Sequence, residues 1–235
     1  MEEILEIQWW GRCHYGVALE KQIAARDQVQ REGNLGKLVF VEHPSVVTSG
    51  RNFPVPPELE AFLFSKGLPV HTTTRGGKLT YHGPGQLVIY PVVSLRKVGM
   101  GVKEFVETLS LGIGDWLAGE GVTVQWNHDA PGLWTDNPLA RKIASVGLRI
   151  EKGVTTHGAA VNLSTDLTMF QHFSPCGFAG SVMTSLEAET GRNVPVEAAA
   201  RGIADALVKR WGLKSTWNPL PPTSSLERDL GKHSV

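Results

Sequence analysis

Cys176 and Lys142 are residue types that together could form an activated nucleophile. Cys176 stands in Ser174-Pro175-Cys176-Gly177, where proline and glycine keep the backbone out of regular structure and leave access to the sulfur. Taken alone, a cysteine is usually a buried small hydrophobe. An unperturbed thiol near pKa 8.5 is only about 3% ionised at pH 7. Shifting it to about 6 makes it mostly thiolate and takes about 3.4 kcal/mol of differential stabilisation. An ammonium about 4 Å away supplies roughly that much at an effective dielectric near 20. Lys142 heads a face of Ala144, Val146, Leu148 and Ile150 if 141–150 is a strand. It could snorkel to solvent at the strand end. It could instead be enclosed, where lost hydration favours the neutral amine and makes a proton carrier. Nothing in the spacing shows that the two residues meet.

Histidine is the rival base. His157 lies in Thr156-His157-Gly158-Ala159-Ala160 and His82 in Thr80-Tyr81-His82-Gly83-Pro84-Gly85-Gln86. A Cys-His pair is the commoner arrangement in thiol enzymes, but each histidine could equally hold a loop by hydrogen bonds. His43, His82, His157 and His172 lack metal-ligand spacing, so no metal site is expected. There is no Gly-x-Ser-x-Gly elbow for a serine hydrolase. No Gly-x-Gly-x-x-Gly or Gly-Lys-Ser/Thr opens a helix to cradle phosphates.

The elements that must position these groups centre on Arg75-Gly76-Gly77-Lys78-Leu79-Thr80-Tyr81-His82 and the apolar run Leu87 to Pro91. The run reads as a buried strand. The glycines before it allow close backbone approach to a ligand, or simply serve the turns of a hairpin. Strands are expected at 4–10, 37–41, from 45, at 69–73, 122–126, 133–135, 141–150 and 154–163. Helices are expected from Tyr15 to before Gly33, near 58–65, from Val102 to before Gly119, and over 195–209. The stripe Val102, Phe105, Val106, Leu109, Ile113, Trp116 and Leu117 reads as core, not as a site. Residues 164–180 read as irregular. Strands and helices interleave without strict alternation, which predicts an α/β fold of the α+β type: a mixed β-sheet with flanking helices. Residues 1–217 are expected to form one domain and 218–235 an irregular tail.

Lys+Arg 23 balances Asp+Glu 23, so no overall basic field points to nucleic acid. The acidic Met1-Glu2-Glu3 start does not read as a signal peptide, and no apolar run reaches membrane-spanning length. With Cys13 and Cys176 far apart and no secretory mark, a disulfide is not expected. A cytoplasmic protein follows. Cys13 reads as a packing residue.

These motifs closely resemble the octanoyltransferases of lipoate biosynthesis. They are Arg75-Gly76-Gly77, Thr80 to Gln86, Lys142-Ile143-Ala144-Ser145-Val146-Gly147, His157-Gly158 with Asn162-Leu163, and Pro175-Cys176-Gly177. Glu42-His43-Pro44 with Thr48 and Gly50 also matches, and the similarity runs from about Ile7 to Trp211. The resemblance implies the fold of the biotin and lipoate protein ligase catalytic domains. It implies that Cys176 takes octanoyl from octanoyl-acyl carrier protein as a thioester, and that a lysine of a lipoyl domain then accepts it. Lys142 would be the cysteine-activating residue. The substrate-binding residues would be Arg75, Gly76, Gly77, Lys78, Leu79, Thr80, Tyr81 and His82, then Ser145, Val146 and Gly147, and then His157, Gly158, Ala159 and Ala160. Burying about six methylenes at roughly 0.8 kcal/mol each contributes about 5 kcal/mol. Arg75 and Lys78 would help meet the acidic carrier protein.

No cofactor is expected, because a thioester donor is already activated. Two other readings compete. An ATP-dependent ligase on the same fold would use a lysine like Lys142 on an acyl-adenylate but would not need Cys176. A lipoyl-domain binding protein without turnover would need neither.

Overall fold

The computed structural model describes residues 3–173 and 182–218. Cys176 lies outside the described residues, as does the expected tail beyond Asn218. Strand β1 (Ile4–Arg12) leads into helix α1 (Tyr15–Glu32), which closes at Gly33. Then come β2 (Gly36–Glu42), β3 (Val46–Ser49), α2 (Pro57–Ser65), β4 (Val70–Thr72), β5 (Thr80–His82) and β6 (Gln86–Val93). The short α3 (Leu95–Val98), α4 (Val102–Gly119), β7 (Val124–Asn127) and β8 (Gly132–Thr135) follow. The chain continues through β9 (Lys142–Glu151), β10 (Val154–Asn162), α5 (Leu186–Thr190), α6 (Val196–Trp211) and β11 (Lys214–Trp217).

The main sheet runs β11-β1-β2-β6-β10-β9-β8-β7, and a small second sheet runs β4-β3-β5. β1 is parallel to both its neighbours, while the rest of the main sheet, β2-β6-β10-β9-β8-β7, pairs antiparallel. The expected mixed sheet with flanking helices is therefore present, and the second sheet is an addition to it. The two faces follow from period-two alternation in β2. Leu38 and Phe40 pack with Phe105, Leu109 and Ile113 of α4 and Ile203 and Leu207 of α6. Val39 and Val41 turn to the other face, with Ala18 of α1 and Val88 and Tyr90 of β6.

A second core, with Val47, Leu63, Leu79, Tyr81, Phe170 and Phe173, ties α2 and the small sheet together. Phe170 belongs to a 3-10 turn, Leu167–His172, inside the stretch expected to be irregular. Asp166 caps that turn through the Thr168 amide. Three short elements carry no periodic signal: α3, α5 and β11. β11 is largely exposed, and it pairs with β1 from Ile4↔Lys214 to Ile7↔Trp217.

No helix among the described residues is long and apolar enough to cross a membrane. None of them form a group of three or more His, Cys, Asp or Glu able to hold a metal.

Candidate active site

Lys142 opens β9 with only 1% of its surface exposed. Its neighbours on β8 are Trp134 and Leu133, but Trp134 pairs with Lys142 and Leu133 with Ala144. Ile143 is thus an extra residue, the bulge bends the strand, and the simple alternation read from sequence breaks at this point. Ile143 and Ala144 accordingly both enter the main core. The Lys142 ammonium lies 5.9 Å from the Trp134 ring centroid, within cation–π range. Gly132 makes the room: a Cβ there would come within 2.6 Å of Lys142 Cε and 2.2 Å of the Ala144 carbonyl. The snorkelling alternative is excluded by this enclosure. On its other side, Lys142 bridges to Met183, and the Thr184 amide donates to the Lys142 carbonyl at 3.0 Å.

A cavity of about 620 Å³ opens between the glycine-rich stretch and strands β9 and β10; Lys142 is not among its lining residues. The glycine-rich stretch supplies Arg75, Gly76, Gly77, Lys78, Thr80 and His82 to its wall. Strand β9 adds Ser145, Val146 and Gly147, and β10 adds His157, Gly158, Ala159 and Ala160. Leu79 and Tyr81 do not line it. Alternation along 79–82 sends Thr80 and His82 to the cavity and turns Leu79 and Tyr81 into the second core, where Tyr81 meets Phe170 edge-on.

Sequence reading missed Tyr15, Val88, Tyr90, Trp126, Ala130, Leu148 and Ile150. It also assigned Val102 and Val106 wholly to the core. They line the cavity instead, and Val102 is 50% exposed. A helical stripe shows which face is apolar, not what that face meets.

Arg75 is the correction with most chemical content. It is 8% exposed and cannot present itself to a partner surface. Its Nε and Nη2 donate to Thr48 Oγ1, Nη2 also donates to the Thr48 carbonyl, and Nη1 donates to the Gly76 carbonyl. The guanidinium therefore holds the glycine loop to β3. Gly50 allows the loops to close: its amide donates to the Lys78 carbonyl, and a Cβ on it would lie 1.9 Å from the Gly77 carbonyl. Lys78, by contrast, is exposed.

The buried polar groups fix their own tautomers. Gln86 Nε2 donates to the Tyr81 carbonyl and Asn162 Oδ1, so Gln86 Oε1 accepts from His82 Nδ1 at 2.7 Å. His43 Nδ1 donates to the Cys13 carbonyl, so its Nε2 accepts from Tyr90 Oη at 2.7 Å. His157 has φ +57, uncommon outside glycine. Its amide donates to Gln22 Oε1 of α1, and its Nε2 meets Thr74 Oγ1 at 3.3 Å. Ala159 and Val161 face the main core. His157 and Ala159 both line the cavity.

Burial pushes His43 down to about 4 and His82 to about 3, the latter helped by His43. Burial, then the Arg75 charge, pushes His157 to about 4. All three are neutral at pH 7 and ill suited to carry a proton there. Burial raises Tyr15 to about 12 and Tyr90 well above the phenol range, so both remain donors. Each histidine has its folded pKa below the unfolded value of about 6.5. The unfolded chain therefore takes protons first as pH falls, and stability drops below pH 6.5. At pH 5 the loss is about 2 kcal/mol per histidine, before most carboxylates titrate. Urea unfolding at pH 7 and pH 5 checks this, and equal midpoints would show these rings to be solvated.

The lipoyl protein ligase A/B catalytic domain family matches residues 13–208. The octanoyltransferase of Alkaliphilus metalliredigens is 41% identical over 80% of this chain and 87% of its own length. That of Chromohalobacter salexigens is 41% identical over 75% and 77%. Among solved structures, a bipartite lipoate protein ligase of Thermoplasma acidophilum superposes with TM-score 0.72 at 18% identity, covering 97% of this chain and 92% of its own. Lipoate-protein ligase A bound with ATP gives 0.70 at 17%, covering 98% and 94%.

Proposed function

The chain belongs to the lipoyl protein ligase A/B catalytic domain family, and from its octanoyltransferase kinship we propose a two-step acyl transfer through Cys176. As a relative of octanoyltransferases over most of its length, it is an acyltransferase. The donor is octanoyl-acyl carrier protein and the acceptor is a lysine of a lipoyl domain, in lipoate biosynthesis. The bipartite ligase of Thermoplasma acidophilum was solved with its own E2 lipoyl domain, which supports an acceptor of this kind for the shared fold.

The observation that carries the reading is the enclosed Lys142 at the β9 bulge, on the strand whose Ser145, Val146 and Gly147 line a largely apolar cavity, and bonded to the segment that follows Cys176. In the first step the Cys176 thiolate attacks the donor thioester. A carbon–sulfur bond to Cys176 forms and the bond to the carrier sulfur breaks. Lys142 as ammonium stabilises the thiolate and gives its proton to the departing sulfur. In the second step the acceptor amine attacks the Cys176 thioester. A carbon–nitrogen bond forms, Cys176 leaves as thiolate, and the now neutral Lys142 takes the amine proton. Of the buried histidines, His82 and His157 are left to shape the cavity wall.

A thioester donor supplies the activation that a ligase draws from ATP. Turnover from octanoyl-acyl carrier protein should therefore be unchanged by removing ATP with apyrase. A requirement for ATP would return the chain to the ligase reading.

Lys78 remains the candidate rim contact for an acidic carrier. Lys78→Glu should raise the apparent KM for carrier protein several-fold and flatten its salt dependence. An unchanged KM and salt slope would remove Lys78 from that role.

A further inference from the structure

We infer that Thr184, held by Glu189 and Asn162, is a positioning residue for Lys142; this rests on the two-step reading above. Thr184 is fully buried and all its polar groups are engaged. Its amide donates to the Lys142 carbonyl at 3.0 Å. Its carbonyl accepts from Asn162 Nδ2 at 2.9 Å. Its hydroxyl donates to Glu189 Oε1 at 2.5 Å. The same carboxylate oxygen is 2.9 Å from Nη2 of Arg141, the residue before Lys142. Glu189 thus ties the side chains of Thr184 and Arg141 together on either side of Lys142, through bonds of the charge-assisted kind.

Lys142 needs this grip because it lies at a bulge. There the ladder to β8 is irregular, and β8 alone does not fix where the lysine points. Residues 183 and 184 act as the missing neighbour. The network also reaches the cavity. His82 Nδ1 donates to Gln86, Gln86 donates to Asn162, and Asn162 donates to Thr184. Each bond is directional, since every partner's remaining group is already committed. A side chain on the cavity wall is therefore joined to the Lys142 backbone by an unbroken series of oriented bonds. An ammonium displaced by about 1 Å can cost roughly 100-fold in rate, so this set of bonds bears on turnover and not only on folding.

The test compares Thr184→Val with Thr184→Ser in the full chain. Valine keeps the shape and adds apolar surface but removes the hydroxyl, whereas serine keeps the hydroxyl and loses a methyl. If Thr184 merely fills space, valine is tolerated and serine is the worse substitution. If it positions Lys142, the order reverses. Thr184→Val is then expected to lower kcat roughly 10- to 100-fold with the donor KM within twofold. The pH midpoint for Cys176 alkylation by iodoacetamide should rise by about one unit. Thr184→Ser should stay close to the parent in both. Glu189→Gln, which retains an acceptor for the hydroxyl, should fall between Glu189→Ala and the parent, and this pair serves if Thr184→Val does not fold. A parent-like kcat and alkylation midpoint in Thr184→Val, or serine proving worse than valine, overturns the inference while the transferase reading stands. A parent whose Cys176 alkylates with an ordinary thiol midpoint overturns both.

Discussion

Cys176→Ala is expected to abolish an octanoyl adduct that the parent protein forms. After incubation with octanoyl-acyl carrier protein in the absence of ATP, the intact mass of the parent should increase by one octanoyl group. Adding apo lipoyl domain should discharge it. Cys176→Ala should show no adduct, and its turnover should fall by a factor on the order of 10⁴ or more, as when a covalent nucleophile is removed. The two halves are informative separately. An adduct that forms but does not discharge would place Cys176 off the path. Turnover surviving in Cys176→Ala would require direct attack of the acceptor amine on the donor thioester. The alanine removes only a sulfur, and the contacts around Lys142 with Trp134, Met183 and Thr184 come from other residues. Loss of activity is therefore separable from loss of fold by an unchanged melting curve.

The second large effect is at Lys142. Lys142→Met keeps the length of the side chain and suits a site with 1% exposure, but it removes both charge and proton. General acid–base contributions of this kind are typically 10²- to 10⁴-fold, and kcat should fall in that range. The alkylation midpoint of Cys176 should return to about 8.5. Lys142→Arg separates the two duties. A guanidinium supplies positive charge but does not release its proton near neutral pH. The first step should then persist in part while the second stalls, and the octanoyl adduct should accumulate. Equal loss of both steps in the arginine variant, with its melting curve intact, would mean that charge alone does not account for activation.

The mixed sheet with its flanking helices and part of the cavity wall were legible in the sequence. The cavity-lining stretches at 75–78, 145–147 and 157–160 were legible because they are contiguous and of distinctive type. The long helix α4 was legible because its apolar stripe is a local pattern. What stayed hidden depends on contacts between distant segments. The Trp134–Lys142 bulge is a mismatch between two strands and has no local signal. β11 has three exposed residues among four and exists because β1 offers it an edge. Arg75 looked like a surface cation until Thr48, far along the chain, took up its guanidinium. Leu79 and Tyr81 were grouped with their neighbours. Alternation could have separated them once 80–82 was taken as a strand. Thr184 and Glu189 gave no signal, since their partners are Lys142, Asn162 and Arg141.

The pairing of β1 with β11 has a consequence for synthesis on the ribosome. β1 is the first strand made, and its partners on the two sides are β2 and β11. One side is available almost at once, whereas the other waits for Lys214–Trp217. Helix α6, which covers the face bearing Leu38 and Phe40, is equally late. At roughly 5 to 20 residues per second, the nascent chain spends on the order of ten seconds or more with an open strand edge and an uncovered apolar face. That interval invites pairing with other chains. Holdase chaperones should bind the emerging polypeptide until residue 217 clears the exit tunnel, and premature termination before β11 should yield aggregates instead of a weakened enzyme.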